Sequence, residues 1–123
     1  MYFYPKADTP GCTQQSCLLR DLISGGQISD VAVVGISPDT AARQKKFDTK
    51  YELGFPLLAD VEHSVAEAYG VWKQKSMYGR TYMGIERSAF LIDEKGKLAN
   101  VWYKISPKDT PSSLVSALEA SVS

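Results

Sequence analysis

The stretch Thr9-Pro-Gly-Cys-Thr-Gln-Gln-Ser-Cys17 contains both cysteines of the 123-residue chain. An apolar run at residues 1–4 precedes it and predicts a buried strand. We expect residues 8–11 to form a turn and the residues after Cys12 to form a helix. Cys12 then lies in the first turn of that helix, where unpaired backbone N–H groups and the positive end of the helix dipole favour a thiolate over a neutral thiol.

The spacing of the two cysteines does not allow a disulfide within an intact helix. Cys12 and Cys17 are five positions apart, which on a helix separates their Cα atoms by roughly 8–9 Å, whereas a disulfide needs about 7 Å or less. A bond between them therefore requires unwinding and favours a transient redox role. Residues 13–16 are polar, so we expect their exposure to cost little burial. The alternative is two small packing residues that never meet.

Size and composition restrict the class of protein. The chain has 123 residues and zero formal net charge, so we expect one compact domain and no nucleic-acid partner. It contains no apolar run of bilayer-spanning length and no signal-peptide pattern, so we expect no membrane partner. Two cysteines are too few for a secreted disulfide scaffold, which favours a cytoplasmic location. With one histidine they offer too few ligands for a metal, and we expect no cofactor.

The rest of the chain alternates strand and helix patterns. Residues 30–37 are a β-branched run typical of a strand covered on both faces. Residues 72–85 lack a clear period and are predicted to be an ordered loop, whereas residues 93–96 are predicted to be a hairpin turn. The other predicted elements are a helix up to residue 24, a helix from about 40 to 51, a strand at 55–59, a short helix at 64–69 capped by Ser64, strands at 87–92 and 98–103, and a final helix with Pro111 as its first residue. Right-handed crossovers turn this β-α-β-α-β-α-β-β-α order into a thioredoxin-like three-layer α/β fold, a central mixed sheet flanked by helices.

Several motifs together resemble one enzyme family. Pro5-x-x-x-Thr9-x-x-Cys12 resembles the active-site signature of the peroxiredoxins, the thiol peroxidases. The second cysteine five residues on, Gly35-Ile-Ser-Pro-Asp39 and the stretch at residues 77–93 are similar to the bacterioferritin-comigratory protein and peroxiredoxin Q subfamily. The resemblance extends to about Tyr103. It implies a single thioredoxin-like peroxiredoxin domain over residues 1–123 that lacks the N-terminal hairpin region of the family.

The resemblance also implies how the two cysteines act. Cys12 would be the peroxidatic nucleophile that reduces hydrogen peroxide and organic hydroperoxides and becomes a sulfenic acid. Cys17 would be the resolving thiol, which forms an intramolecular Cys12–Cys17 disulfide. A thioredoxin- or glutaredoxin-type reductant would then recycle the enzyme by thiol–disulfide exchange. We expect the enzyme to be a monomer.

Four further residues receive roles from the resemblance. Pro5 would shield the sulfenate from solvent, and the Thr9 hydroxyl would bond the incoming peroxide or the sulfur. Arg87 would bring a fixed positive charge to the thiolate, and the backbone N–H of Gly11 would help to stabilise the developing negative oxygen.

Other interpretations remain open from the residues alone. Thr9 is otherwise an ordinary helix cap, Pro5 a strand stop and Arg87 a surface residue. A thiol–disulfide oxidoreductase on the same fold is a second interpretation, although that class uses C-x-x-C and this chain has four residues between its cysteines. A third is a peroxide-sensing module whose oxidation switches a partner.

Overall fold

The structure, a computed structural model, describes residues 1–26, 28 and 31–122. Numbered in chain order, the helices are α1 (Pro10–Ser24), α2 (Ala41–Tyr51), α3 (Ser64–Ala68) and α4 (Thr110–Val122), the last preceded by a 3₁₀ turn at Pro107–Asp109. The strands are β1 (Tyr2–Phe3), β2 (Gly35–Ser37), β3 (Leu57–Ala59), β4 (Trp72–Met77), β5 (Arg80–Ile85), β6 (Ser88–Ile92) and β7 (Leu98–Trp102). No helix in this described part of the chain is long and apolar enough to cross a membrane.

Five strands form one mixed sheet in the order β3-β2-β1-β6-β7, and β4 and β5 form a separate two-stranded sheet. β1 lies parallel to β2 and antiparallel to β6, which makes it the central strand. Gly35 leaves room for two neighbouring side chains, because a Cβ there would lie 2.8 Å from the Leu57 side chain and 3.0 Å from the Tyr2 ring. The mixed sheet flanked by helices matches the predicted α/β class.

Both faces of the central strand are buried, as the apolar run predicts. Tyr2 and Tyr4 point into the larger core cluster, which also contains Cys12, and Phe3 points into a smaller cluster on the opposite face. The larger cluster contains Leu19 and Leu22 of α1, Phe47 of α2, and the packed residues Leu114, Val115 and Leu118 of α4. The smaller cluster contains Ile36, Ala66, Val71, Ile85 and Phe90. Residues 4–9 connect β1 to the start of α1, where Cys12 packs into the larger cluster.

The start of α1 differs from the prediction of a turn at residues 8–11. The helix begins at Pro10, so Pro10 and Gly11 are its first two residues and Cys12 is the third. Proline suits the first helical position because that residue needs no N–H partner and its fixed φ is already helical. The preceding loop is anchored to the connection between β2 and α2, because the Ala7 amide donates to the Asp39 carboxylate over 2.7 Å.

The prediction of an ordered loop at residues 72–85 is wrong. The segment is the β4–β5 hairpin, with Tyr78 and Gly79 at its turn. Both have positive φ (52° and 77°), as a tight two-residue hairpin turn requires. Tyr78, Tyr82 and Met83 are exposed, Tyr78 to 97%. Residues 76–83, the outer half of the hairpin, are all exposed, so no buried face imposes an alternation of apolar and polar residues there.

Smaller differences concern element ends. Of the predicted strand at 30–37, only Gly35–Ser37 is a strand, and Asp30 lies outside the described residues. Ser64 is the first residue of α3 and not its cap. The Asp60 carboxylate takes that role, accepting the amides of Val65 (3.2 Å) and Ala66 (2.9 Å). The strand predicted at 87–92 begins at Ser88, and α4 begins one residue before Pro111.

Candidate active site

The sulfur of Cys12 lies next to a guanidinium group. Arg87 Nη2 donates to Cys12 Sγ over 3.4 Å, although 74 residues separate the two in the chain. The Cys12 side chain is 1% exposed, and both cysteines are free thiols. A permanent positive charge at hydrogen-bond distance favours the negative form of a sulfur over the neutral form. The structure thus brings together two of the residues that the sequence singles out.

The helix start adds a second source of positive potential at Cys12. The first hydrogen bond of α1 runs from the Thr13 amide to the Thr9 carbonyl over 2.8 Å. The amides of Gly11 and Cys12 precede that bond and belong to the set that a helix leaves without an internal acceptor. Gly11 also gives Arg87 its room, because a Cβ at that position would lie 3.2 Å from Nη2. The absence of a side chain at Gly11 lets the guanidinium approach the sulfur.

A buried hydrogen-bond chain holds Arg87 in place. Its Nη1 donates to Gln15 Oε1 over 2.7 Å, and Gln15 Nε2 donates to the Thr110 hydroxyl over 2.8 Å. Thr110 in turn donates to the Ser106 carbonyl over 3.0 Å. Gln15 is fully buried at 0% exposure. The chain connects α1, the start of β6 and the start of α4.

Neither Gln15 nor Thr110 was identified from the sequence. The available signal for Gln15 is its position three residues after Cys12, which places both side chains on one helix face. Nothing local marks Thr110, because it lies 95 residues further along the chain than its partner.

Thr9 and Pro5 lie in the loop that leads into α1. Thr9 occupies the N-cap position, but its side chain makes no capping hydrogen bond. The Thr9 hydroxyl instead donates to the Lys6 carbonyl over 2.8 Å, so here it is engaged by the loop and not by the sulfur. Pro5 follows β1 and is half-buried. Both residues precede Cys12 on the same short connection, and neither makes a described hydrogen bond to it.

Cys17 lies on the same continuous helix as Cys12 and is half-buried against the larger core cluster. The helix is intact between the two cysteines, so the predicted requirement for unwinding applies to this conformation. The expectation that residues 13–16 are cheap to expose is wrong for two of them. Gln15 and Ser16 are both buried, and Ser16 Oγ lies 2.6 Å from the Tyr2 hydroxyl. Burial raises the pKa of Tyr2 well above its ordinary value, and the bond to Ser16 opposes that shift in part.

Comparison with known proteins places this site in a family. Residues 1–101 match the family model described as AhpC/TSA. The chain is 49% identical over 109 residues to peroxiredoxin Bcp of Bacillus subtilis, an alignment that covers 89% of this chain and 69% of the relative. The chain belongs to the AhpC/TSA family of peroxiredoxins. It is also 49% identical over 102 residues to peroxiredoxin Bcp of Escherichia coli, covering 83% of this chain and 65% of the relative.

Solved structures agree with this peroxiredoxin assignment. A peroxiredoxin Q of Xylella fastidiosa superposes with a TM-score of 0.91 at 30% identity, covering 99% of this chain and 76% of that one. The bacterioferritin comigratory protein of Xanthomonas campestris, described for its alkyl peroxide reduction activity, gives 0.89 at 32% identity and covers 99% and 78%. The predicted resemblance and the thioredoxin-like fold are confirmed. This peroxiredoxin is therefore a thiol-dependent peroxidase, with a peroxide as substrate and a thiol as reductant.

Proposed function

We propose that Cys12 is the peroxidatic nucleophile of this peroxidase and that Arg87 is its activating cation. The 3.4 Å contact between Arg87 Nη2 and Cys12 Sγ, at the start of α1, is the observation that carries the proposal. A thiolate is the reactive form of cysteine, and it needs positive potential in a buried position. Arg87 and the α1 N-terminus both contribute to that potential.

In the first half of the cycle, the Cys12 thiolate attacks the terminal oxygen of hydrogen peroxide or an organic hydroperoxide. The O–O bond breaks as an S–O bond forms, the sulfur loses two electrons, and the leaving oxygen takes a proton to become water or an alcohol. Negative charge develops on that leaving oxygen. The Arg87 guanidinium and the amides of Gly11 and Cys12 are the donors that would stabilise it.

In the second half, the Cys17 thiol attacks the Cys12 sulfenic acid. An S–S bond forms and water leaves, which gives an intramolecular disulfide. A dithiol reductant of the thioredoxin or glutaredoxin type then restores both thiols by exchange and is itself oxidised. We propose that the peroxidase works as a monomer in a reducing compartment such as the cytoplasm, where its two free thiols persist between cycles.

In this proposal Pro5 shields the Cys12 sulfur from solvent and Thr9 binds the substrate. Pro5, half-buried in the loop before α1, shields the sulfenate from water. The Thr9 hydroxyl is held by the Lys6 carbonyl before the peroxide enters. A hydroxyl that donates one hydrogen bond still has acceptor capacity. Thr9 is therefore able to accept from the proton of the entering hydroperoxide.

Mass spectrometry combined with a peroxide-consumption assay tests the cysteine roles. After one equivalent of peroxide, the wild type should lose two hydrogens by forming a single Cys12–Cys17 bond. Cys17→Ser should stop at the sulfenic acid, and Cys12→Ser should consume no peroxide, because a hydroxyl cannot form a sulfenate. Turnover by Cys12→Ser at a rate comparable with that of the wild type would refute the assignment.

A further inference from the structure

The carboxylate of Asp39 is buried and faces the loop that precedes α1. Asp39 lies between β2 and α2, and its side chain is 7% exposed. Its Oδ2 accepts from the Ala7 amide and from the Ser37 hydroxyl, both over 2.7 Å. Its Oδ1 lies 3.3 Å from Nε of Arg43, an exposed residue of α2. A carboxylate is costly to bury unless it is paired and hydrogen-bonded, so these three contacts determine where Asp39 lies.

The peptide group between Lys6 and Ala7 connects Asp39 to Thr9. Its N–H donates to Asp39, and its carbonyl accepts from the Thr9 hydroxyl over 2.8 Å. The peptide is trans, so its N–H and C=O point in opposite directions and turn together as one planar unit. Fixing the direction of the N–H therefore fixes the direction of the carbonyl. The carboxylate also polarises the peptide, which makes the Lys6 carbonyl a stronger acceptor.

From this shared peptide we infer that Asp39 is a positioning residue of the peroxidatic site and orients the Thr9 hydroxyl. The inference rests on the proposed role of Thr9 as the group that accepts from the entering hydroperoxide. A hydroxyl has one proton and two acceptor sites. The Lys6 carbonyl takes the proton, which leaves acceptor capacity for the substrate. Without Asp39 the peptide is free to turn, and the Thr9 hydroxyl loses the acceptor that fixes the direction of its proton.

Two measurements in a Cys17→Ser background, in which Cys12 is the one cysteine left, separate this role from a structural one. Asp39→Ala should slow the reaction with hydrogen peroxide by about five- to tenfold, the equivalent of one hydrogen bond. The thiolate absorbance of Cys12 should not fall, because Asp39 acts on Thr9 and not on the sulfur. A disturbed start of α1 would lower both quantities, and that result would overturn the inference.

The conservative variant isolates the hydrogen bond from the charge. Asp39→Asn removes the same charge as Asp39→Ala, yet its amide oxygen still accepts from the Ala7 N–H. It should therefore restore most of the peroxide rate. Arg43→Gln removes the exposed partner of Asp39 and leaves the Ala7 bond in place, so it should match the parent. An Asp39→Asn variant as slow as Asp39→Ala, or an equally slow Arg43→Gln, would overturn the inference.

A double-mutant cycle with Thr9→Val tests whether Asp39 acts through Thr9. Thr9→Val should be slow by itself, and adding Asp39→Ala should slow it by less than about twofold further, because coupled residues are not additive. A slow Thr9→Val that loses the full factor again would overturn the inference and leave the role of Thr9 intact. A Thr9→Val variant with the full rate would refute the proposed role of Thr9 and that of Asp39 with it. Hydrogen exchange of the Ala7 amide in the wild type does not depend on any variant folding, and an unprotected amide would also overturn the inference.

Discussion

Arg87 Nη1 donates a hydrogen bond to Gln15 Oε1 over 2.7 Å, and Gln15 is fully buried. The same guanidinium reaches Cys12 through Nη2. Because the guanidinium is planar and rigid, fixing one of its nitrogens fixes the other. Gln15 therefore determines where the charge of Arg87 lies relative to the sulfur, and this relationship leads to the first two predictions.

Gln15→Met should reduce the rate of peroxide reaction by about tenfold and lower the free energy of unfolding by about 1–3 kcal/mol, the cost of leaving buried partners unsatisfied. Both Arg87 Nη1 and the Thr110 hydroxyl lose a partner in this variant. Stopped-flow kinetics and urea unfolding measure the two effects. Gln14→Met is the matched control, because Gln14 is the exposed neighbour on the same helix. Equal behaviour of the two variants would show that Gln15 does not position Arg87.

Arg87→Ala should reduce the peroxide rate by about 10²–10³-fold, the usual effect of removing one donor to a developing negative charge. Arg87→Lys should recover only part of it, since an ammonium cannot reach the sulfur and Gln15 at once with a planar fork. Arg80→Ala, at an exposed position on the hairpin, is the control for net charge. A wild-type rate in Arg87→Ala would leave Arg87 without a role in the chemistry.

Gly11→Ala should separate activity from stability. A helix that gains Ala for Gly is stabilised by about 0.5–1 kcal/mol, yet the new Cβ would lie 3.2 Å from Arg87 Nη2. Gln15 holds the other guanidinium nitrogen, so the arginine cannot simply swing aside. We expect a several-fold slower peroxide reaction with an unchanged or higher unfolding temperature. A variant that is stabilised and reacts at the full rate would show that the guanidinium tolerates the displacement.

The position of Cys12 was predictable because its causes are local. An apolar run, a proline and two cysteines within 17 residues define a strand followed by a helix start. The neighbours of Cys12 were not predictable on physical grounds, because Arg87 lies 75 positions away in the chain and only the family resemblance suggested it. The sequence around Gln15 predicts a polar residue that is easily exposed. Its burial depends on Thr110, which begins a helix 95 positions further along the chain.

The β4–β5 hairpin is formed by neighbouring residues, yet the sequence did not predict it. Its strands were not recognised because its outer half presents Met77, Tyr82 and Met83 to solvent, so no alternation of apolar and polar residues marks a buried face. What defines the hairpin is the Tyr78-Gly79 turn, in which both residues have positive φ. Tyrosine rarely adopts that conformation, and the sequence therefore gives a weak turn signal.

Asp8 links the loop of Pro5 and Thr9 to α2. Its carboxylate accepts from Lys50 Nζ (2.9 Å) and the Tyr51 hydroxyl (2.8 Å), and these hydrogen bonds, Lys50 first, hold the pKa of Asp8 below its ordinary value of 3.8. Because the pKa of Asp8 is lowered in the folded protein, the link stabilises the fold above the ordinary pKa, and this stabilisation is lost as the pH falls through the lowered pKa. Asp8→Asn should therefore be less stable than the wild type near neutral pH, and the difference should shrink on acidification below about pH 4.

Thermal unfolding across a pH series measures the effect of Asp8→Asn, with Glu62→Gln at an exposed position as control. The effect should be small, because Asp8 lies on the surface and exposed ion pairs contribute little. A difference between Asp8→Asn and the wild type that grows on acidification would have the wrong sign for this account.

The cost of forming the Cys12–Cys17 bond is set by the two buried residues between the cysteines. Unwinding α1 there breaks the bonds from Gln15 to Arg87 and Thr110 and the bond between Ser16 and the Tyr2 hydroxyl. At about 0.5–1.5 kcal/mol each, these three bonds represent about 1.5–4.5 kcal/mol that disulfide formation must supply. The resulting strain should make the disulfide easy to reduce, as a recycled bond requires.

Oxidation should therefore remove amide protection across residues 12–18 while the sheet keeps its own, and the Cys17→Ser variant treated with peroxide should keep its helix. Tyr2→Phe tests the energy directly. In this variant the buried Ser16 hydroxyl has no partner while the helix is intact, but it can bond to water once the segment unwinds. Unwinding therefore costs less, and disulfide formation from the sulfenic acid should be about fivefold faster, the equivalent of one hydrogen bond. Hydrogen exchange and quenched-flow mass spectrometry report the two quantities. A disulfide-bonded protein with full protection at 12–18, or a Tyr2→Phe variant that resolves more slowly, would contradict this account, because both require that the helix does not open where Ser16 and Tyr2 hold it.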